Sequence, residues 1–139
     1  MDANQNPKPL DNSFLLSLIE QFYNNNEDEV DFLKVMNELR FGNSFFFVQT
    51  MNQEEEDIRK IITGEERYEF ITHVNEGESF QLVFTSEALI RAFLNDPNTT
   101  YRQFRTRDVL KLIQTTPING IIIDVHSDSQ LIFYQEEII

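Results

Sequence analysis

The sequence predicts an α+β fold, a single domain with a mixed β-sheet of five to six strands and about four helices. Three observations carry this. Two N-terminal stretches repeat apolar residues at helical spacing, short aromatic or β-branched runs come after them, and in the second half helical and strand patterns alternate. With 139 residues, 40% of them apolar and 13 of them Phe, the chain has the length and core material of one domain and not the composition of a disordered one. A domain of this size buries roughly two-thirds of its unfolded surface.

Residues 1–10 hold two of the four Pro and few apolar side chains, which is the composition of a flexible leader, so the folded domain is expected over 11–139. From Phe14, the positions Phe14, Leu15, Leu18, Ile19 and Phe22 form an amphipathic stripe, predicting a helix over about 13–23 with Asn12 or Ser13 as N-cap. Asn24 to Glu27 break it. A second stripe of Phe32, Leu33, Met36 and Leu39 predicts a second helix ending before Gly42. The run Ser44 to Val48 reads as a buried strand, and the charged residues 51–66 as a short solvated helix or loop. Residues 68–74 and 79–84, separated by Asn75-Glu76-Gly77-Glu78, read as a hairpin.

Thr85-Ser86 then caps a helix whose Leu89, Ile90, Phe93 and Leu94 share a face, with Asn95-Asp96-Pro97 as its stop. A brief strand at Tyr101–Phe104 precedes a helix capped by Thr106 and carrying Val109, Leu110, Leu112 and Ile113, which Thr116-Pro117 ends. Gly120 introduces Ile121-Ile122-Ile123, a continuous apolar run of the kind found in central strands. After a polar turn at His126 to Ser129, Leu131 to Tyr134 supply the last strand. Phe84 and Ile122 are expected on buried strands, with Leu89, Phe93, Leu110 and Ile113 covering the sheet from helices.

Charge and residue inventory exclude several chemistries. Eleven basic against 24 acidic residues give a net charge of −13, a field that repels phosphate backbones and anionic lipid, so neither nucleic acid nor membrane is an expected partner. Without Cys there is no disulfide, thiolate metal site or thiol nucleophile. No run approaches the ~20 apolar residues of a membrane span and the N-terminus lacks a secretory pattern, which makes the cytoplasm the expected location. His126-Ser127-Asp128 holds the residue types of a hydrolase triad, but consecutive residues cannot line up nucleophile, base and orienting group. His73 lies within a strand and would need carboxylates to complete a metal site. Asn24 to Asp31 lack the Gly and spacing of a calcium loop, and no phosphate-binding Gly pattern occurs. No cofactor or metal is expected, and no enzyme. An enzyme or small-ligand protein on this chain would have to use carboxylates and Arg, with Glu69, Glu78 and Asp124 near strand ends as first candidates.

One window departs from the general field. Between Arg91 and Lys111 lie five of the 11 basic residues (Arg91, Arg102, Arg105, Arg107, Lys111) against two acids, interleaved with Tyr101 and Phe104. Forked guanidinium donors suit carboxylate or phosphate, which makes Arg102, Arg105, Arg107 and Lys111 a candidate surface for an anionic partner. The competing reading is that these side chains pair with the protein's own surplus acids.

From Phe80 to Ile138, the strand-to-helix phrase Val83-Phe84-Thr85-Ser86, the two helices after it and Gly120-Ile121-Ile122-Ile123-Asp124 with its short hairpin resemble the SseB protein N-terminal domain family. The resemblance is loose over 14–134 and closer over 80–134, and its motifs are structural punctuation. In that family the later strand commonly runs into Asn-Pro, whereas here Ile123 is followed by Asp124-Val125. It implies a small bacterial cytoplasmic protein, of a group named for a serine-sensitivity phenotype, without an agreed enzymatic activity and in some cases encoded beside secretion or toxin genes. The expected function is thus a non-catalytic interaction or regulatory domain that binds a protein partner. An immunity protein whose acidic charge meets a basic toxin is a special case. The chain's end coincides with the end of such an N-terminal domain, so a second domain is not expected.

Overall fold

Helix α1 (Ser13–Asn24) buries Leu15, Leu18, Ile19 and Phe22, the one-sided stripe its sequence spacing dictates. The structure is a computed structural model and describes residues 10–50, 72–75, 77–97, 99–114 and 118–138. Asn12 is the N-cap residue, as predicted, but its side chain is used elsewhere. It makes no side-chain cap bond, and Asp11 instead accepts from the backbone N–H and hydroxyl of Ser13 at 2.8 and 2.7 Å. Those bonds hold the Asp11 carboxyl below its ordinary range. Asn26 and Glu27, both at positive φ, turn the chain into α2 (Glu29–Phe41). The Asp28 carboxylate caps α2 by accepting from the Val30 N–H at 3.2 Å. Val35, Met36 and Leu39 face the core, but Leu33, expected on the buried stripe, is 58% exposed.

Strand β1 (Phe45–Thr50) pairs antiparallel with β4 (Thr100–Arg105), with Phe45 opposite Arg105. Strand β2 (Thr72–Asn75) forms a hairpin with β3 (Glu78–Val83), turning at Gly77, whose φ of +84° suits a residue without Cβ. Strand β3 runs parallel to β5 (Gly120–Ile123), which pairs antiparallel with β6 (Leu131–Tyr134). The expected single mixed sheet is therefore corrected. Among the described residues there are two sheets, a β1-β4 ribbon and a mixed sheet of order β2-β3-β5-β6. They meet at one bridge, where Phe47 and Phe84 exchange backbone hydrogen bonds of 2.7 and 3.0 Å. The reason is edge occupancy. Ser79 and Val83 offer their carbonyls to the β5 side, so Phe84 faces the opposite edge, and β2 already fills that edge alongside residues 78–81.

Helix α3 (Glu87–Leu94) starts at Ser86, whose hydroxyl accepts from the Leu89 N–H at 3.2 Å, and stops at Asn95 in the left-handed region. Helix α4 (Thr106–Ile113) begins one residue earlier than expected, since Thr106 is its first residue rather than its cap. The Thr106 hydroxyl turns into the core, where it contacts the Leu39 carbonyl at 2.8 Å and the Ser44 hydroxyl at 2.9 Å. A short α5 (Gln135–Ile138) comes after β6 and makes a fifth helix among the described residues where about four were expected.

The helices lie in separate layers. Helices α1, α2 and α4 cover one face in a core that includes Val83, Ile121, Ile123 and Phe133, while α3 packs Ile90 on the other face against Phe80, Leu82, Phe84 and Ile122. Burial of β5 on both faces accounts for its unbroken apolar run. Phe84, Ile122, Leu110 and Ile113 are buried as expected, and Phe93 is half-buried against the α3 core. Leu89 points outward, 37% exposed, because one turn of α3 presents Ile90 to the sheet. The solvated segment expected at 51–66 and the first part of the hairpin, Tyr68 to Ile71, lie outside the described residues.

Candidate functional site

The chain leaves β3 for α3 at Thr85, and two side chains from distant segments close over that exit. The Asp124 carboxylate accepts from the Thr85 N–H at 2.8 Å and from its hydroxyl at 2.6 Å. Asn12 donates to the carbonyls of Thr85 and Phe45 at 2.8 and 3.0 Å and accepts from the Phe45 N–H at 2.8 Å. Asp124 adopts a φ of +52°, tolerated by Asp and Asn more readily than by most residues. Burial pushes its carboxyl above the ordinary value of 3.8, while the two Thr85 bonds pull the other way. With both oxygens committed to Thr85, this carboxylate acts as a structural tie.

The carboxylates considered for catalysis do not converge. Glu78 opens β3 and Asp124 comes just after β5, at opposite ends of a parallel pair. Five residues of extended chain separate Glu78 from Val83, or about 16 Å, and Asp124 donates its N–H to the Val83 carbonyl. Glu69 lies outside the described residues. His73 sits on β2 opposite Phe80. His126 occupies a turn at positive φ and stacks on Phe93 with ring centroids 6.3 Å apart. Among the described residues, no group of three or more His, Cys, Asp or Glu is arranged to hold a metal ion.

The basic window divides. Arg91 donates to Glu87 at 2.8 Å and to the Tyr101 hydroxyl at 2.7 Å, so it belongs to the protein's own surface network. Arg102 lies on β4 opposite Val48 and has a partner of its own. Arg105 is the N-cap residue of α4 and half-buried, while Arg107 and Lys111, four apart on one face of α4, are exposed. Among the described residues, none of Arg105, Arg107 and Lys111 joins an ion pair. Tertiary packing adds what the linear window lacked. Arg40 and Phe41 from the end of α2 join Arg107, Leu110, Lys111 and Gln114 around a groove of about 190 Å³. Arg40 is braced there by donating to the Glu137 and Ile138 carbonyls at 3.3 and 2.8 Å. Such a groove offers cationic donors beside an aromatic ring, which is chemistry for a carboxylate on an apolar stem. The sequence signal for Phe41 was its place on the face of α2 away from Met36 and Leu39.

The family model of the SseB protein N-terminal domain matches residues 15–139. The chain belongs to that family. A search of curated proteins returned no significant match. The match takes in every element of this SseB-type domain except the first two residues of α1, including the Thr85 exit and the basic groove. Among its described residues, no helix is long and apolar enough to cross a membrane.

Proposed function

We propose that this SseB-type domain is a non-catalytic interaction or regulatory module of the bacterial cytoplasm, and that it binds a protein partner by accepting an acidic segment at its basic surface. The observation that carries the reading is the groove of Arg40, Phe41, Arg107 and Lys111, a concentration of positive charge on a chain of net charge −13. Arg107 and Lys111 supply the cations, Phe41 and Leu110 the apolar contact, and Arg105 and Arg102 extend the positive field along β4. Two facts support the non-catalytic part: Asp124 is committed to Thr85, and Glu78 stands at the far end of the sheet.

The test is a titration with a labelled acidic peptide containing Glu, Asp and Phe, read by fluorescence anisotropy. Binding is expected to weaken as salt rises and to fall about tenfold in the Arg107→Ser, Lys111→Ser variant with its fold unchanged. A variant that binds like the wild type would remove the groove from the reading. A reproducible turnover abolished by one substitution at His73, His126 or Asp124 would overturn the non-catalytic assignment.

A further inference from the structure

Folding uses only one face of α2. Val35, Met36 and Leu39 are buried, while Val30, Leu33 and Phe41 stay 58, 58 and 74% exposed. At about 100° per residue, these three fall with Lys34 and Asn37 on the side opposite Leu39. Phe14 of α1, itself 61% exposed, lies beside them and with Leu18, Val30, Leu33, Lys34 and Glu38 lines a groove of about 370 Å³. Single exposed apolar residues need no explanation, but a contiguous stripe marks a surface that something covers.

Charge along this stripe has a direction. Glu27, Asp28 and Glu29 stand at the N-terminal end of α2 and Arg40 in its last turn, while Lys34, 3.7 Å from Asp31 of its own helix and still half exposed, precedes Glu38 by one turn. A helix with acid at one end, base at the other and an apolar stripe between them is complementary to a copy of itself turned end for end. That is the self-matching arrangement of a two-fold interface.

We infer that the outward face of α2 is the interface of a homodimer, with the α2 helices of two copies antiparallel across a two-fold axis near Lys34 and Asn37. Val30 of one protomer then meets Phe41 of its partner, Lys34 meets Glu38, and the Glu29 end approaches the Arg40 end. The net charge of −13 on each copy opposes association at long range. At physiological ionic strength the screening length is about 8 Å, which suppresses that repulsion and leaves pairs in contact largely unscreened. A second copy is favoured over a different chain because the stripe already carries its own complement. Arg40 and Phe41 belong to both surfaces, so a second copy and an acidic peptide compete there, whereas Leu33, Lys34 and Glu38 lie outside the basic groove and separate the two readings.

Sedimentation equilibrium of the full chain, from micromolar to sub-millimolar at physiological salt, tests it. The expected species has twice the chain mass of 16.5 kDa. Leu33→Glu should weaken dimerisation about tenfold or more while leaving the melt of the dilute, dissociated chain unchanged, because that side chain contributes little to the core. Lys34→Glu should weaken it too, and Lys34→Glu combined with Glu38→Lys should restore it, since the exchange re-creates the cross-axis pair. A wild-type chain that sediments as a monomer throughout, or a dimer indifferent to Leu33→Glu, overturns the proposal. Both readings can fail separately: Leu33→Glu should still bind the acidic peptide, and the Arg107→Ser, Lys111→Ser variant should still dimerise.

Discussion

Asp124 holds Thr85 by two bonds from one carboxylate, 2.8 Å from the backbone N–H and 2.6 Å from the hydroxyl, and so fastens the end of β5 to the start of the α3 connection. Both residues are buried. Asp124→Ala leaves a buried N–H without a partner and should cost about 2 kcal/mol in urea unfolding. Asp124→Asn keeps the acceptor for the N–H, offers its amide to the hydroxyl and tolerates the positive φ. It should stay within about 1 kcal/mol of the wild type.

The same residue sets a pH dependence. Burial raises the native Asp124 carboxyl above the 3.8 of the unfolded chain, so the folded state holds the proton more tightly. Its contribution to stability is fully present below the unfolded value and is lost as pH rises through the raised native one. Between those two values the wild type should lose stability relative to Asp124→Asn, measured as the difference between their urea midpoints across that range. A constant difference would mean that Asp124 has the same affinity for its proton in both states.

Asn12 joins the start of α1 to β1 and to the Thr85 exit through three hydrogen bonds. Asn12→Ala should cost about 3 kcal/mol by stranding buried backbone groups. Asn12→Asp should be worse, because a carboxylate would face the Thr85 and Phe45 carbonyls that the amide now serves. Denaturant unfolding of the two variants at neutral pH gives the order.

Gly120 lies where β5 passes β6. A Cβ there would run into the Phe133 carbonyl oxygen and come within 2.9 Å of Tyr134 Cα, both backbone atoms that cannot swing aside. Gly120→Ala should therefore cost about 3 kcal/mol or more and loosen the β5-β6 pair. Amide exchange at Ile121 and Phe133, which face each other across that pair, would report the loosening.

Phe84 forms the bridge between the two sheets and is 2% exposed, packing on Phe93 with ring centroids 5.4 Å apart. Phe84→Ala should cost about 3–5 kcal/mol by leaving a cavity in the α3 core. Leu89→Ala, one turn into α3 at an exposed position, should cost far less. Thermal melts of the pair separate the two environments.

Sequence alone determined the local elements, because periodicity, caps and breakers act over a few residues. The stripe of Leu15, Leu18, Ile19 and Phe22 sufficed for α1, Ser86 and Asn95 marked both ends of α3, and the Ile121-Ile122-Ile123 run announced a strand buried on both faces. The strand-to-helix phrase at Val83 to Ser86 also pointed to the family that matches the chain. Tertiary structure decided what depends on contacts between distant segments. Asn12 and Thr106 have side chains suited to capping, but although Asn12 keeps the N-cap position, buried carbonyls at Thr85, Phe45 and Leu39 claimed both side chains instead. Leu33 and Leu89 looked like core residues because periodicity locates an apolar face only to within part of a turn, and the packing partner fixes which edge is covered. Likewise the basic window was visible as charge, yet its division into a paired Arg91 and a groove completed by Arg40 and Phe41 required α2 and α4 to meet, 66 residues apart at Phe41 and Arg107.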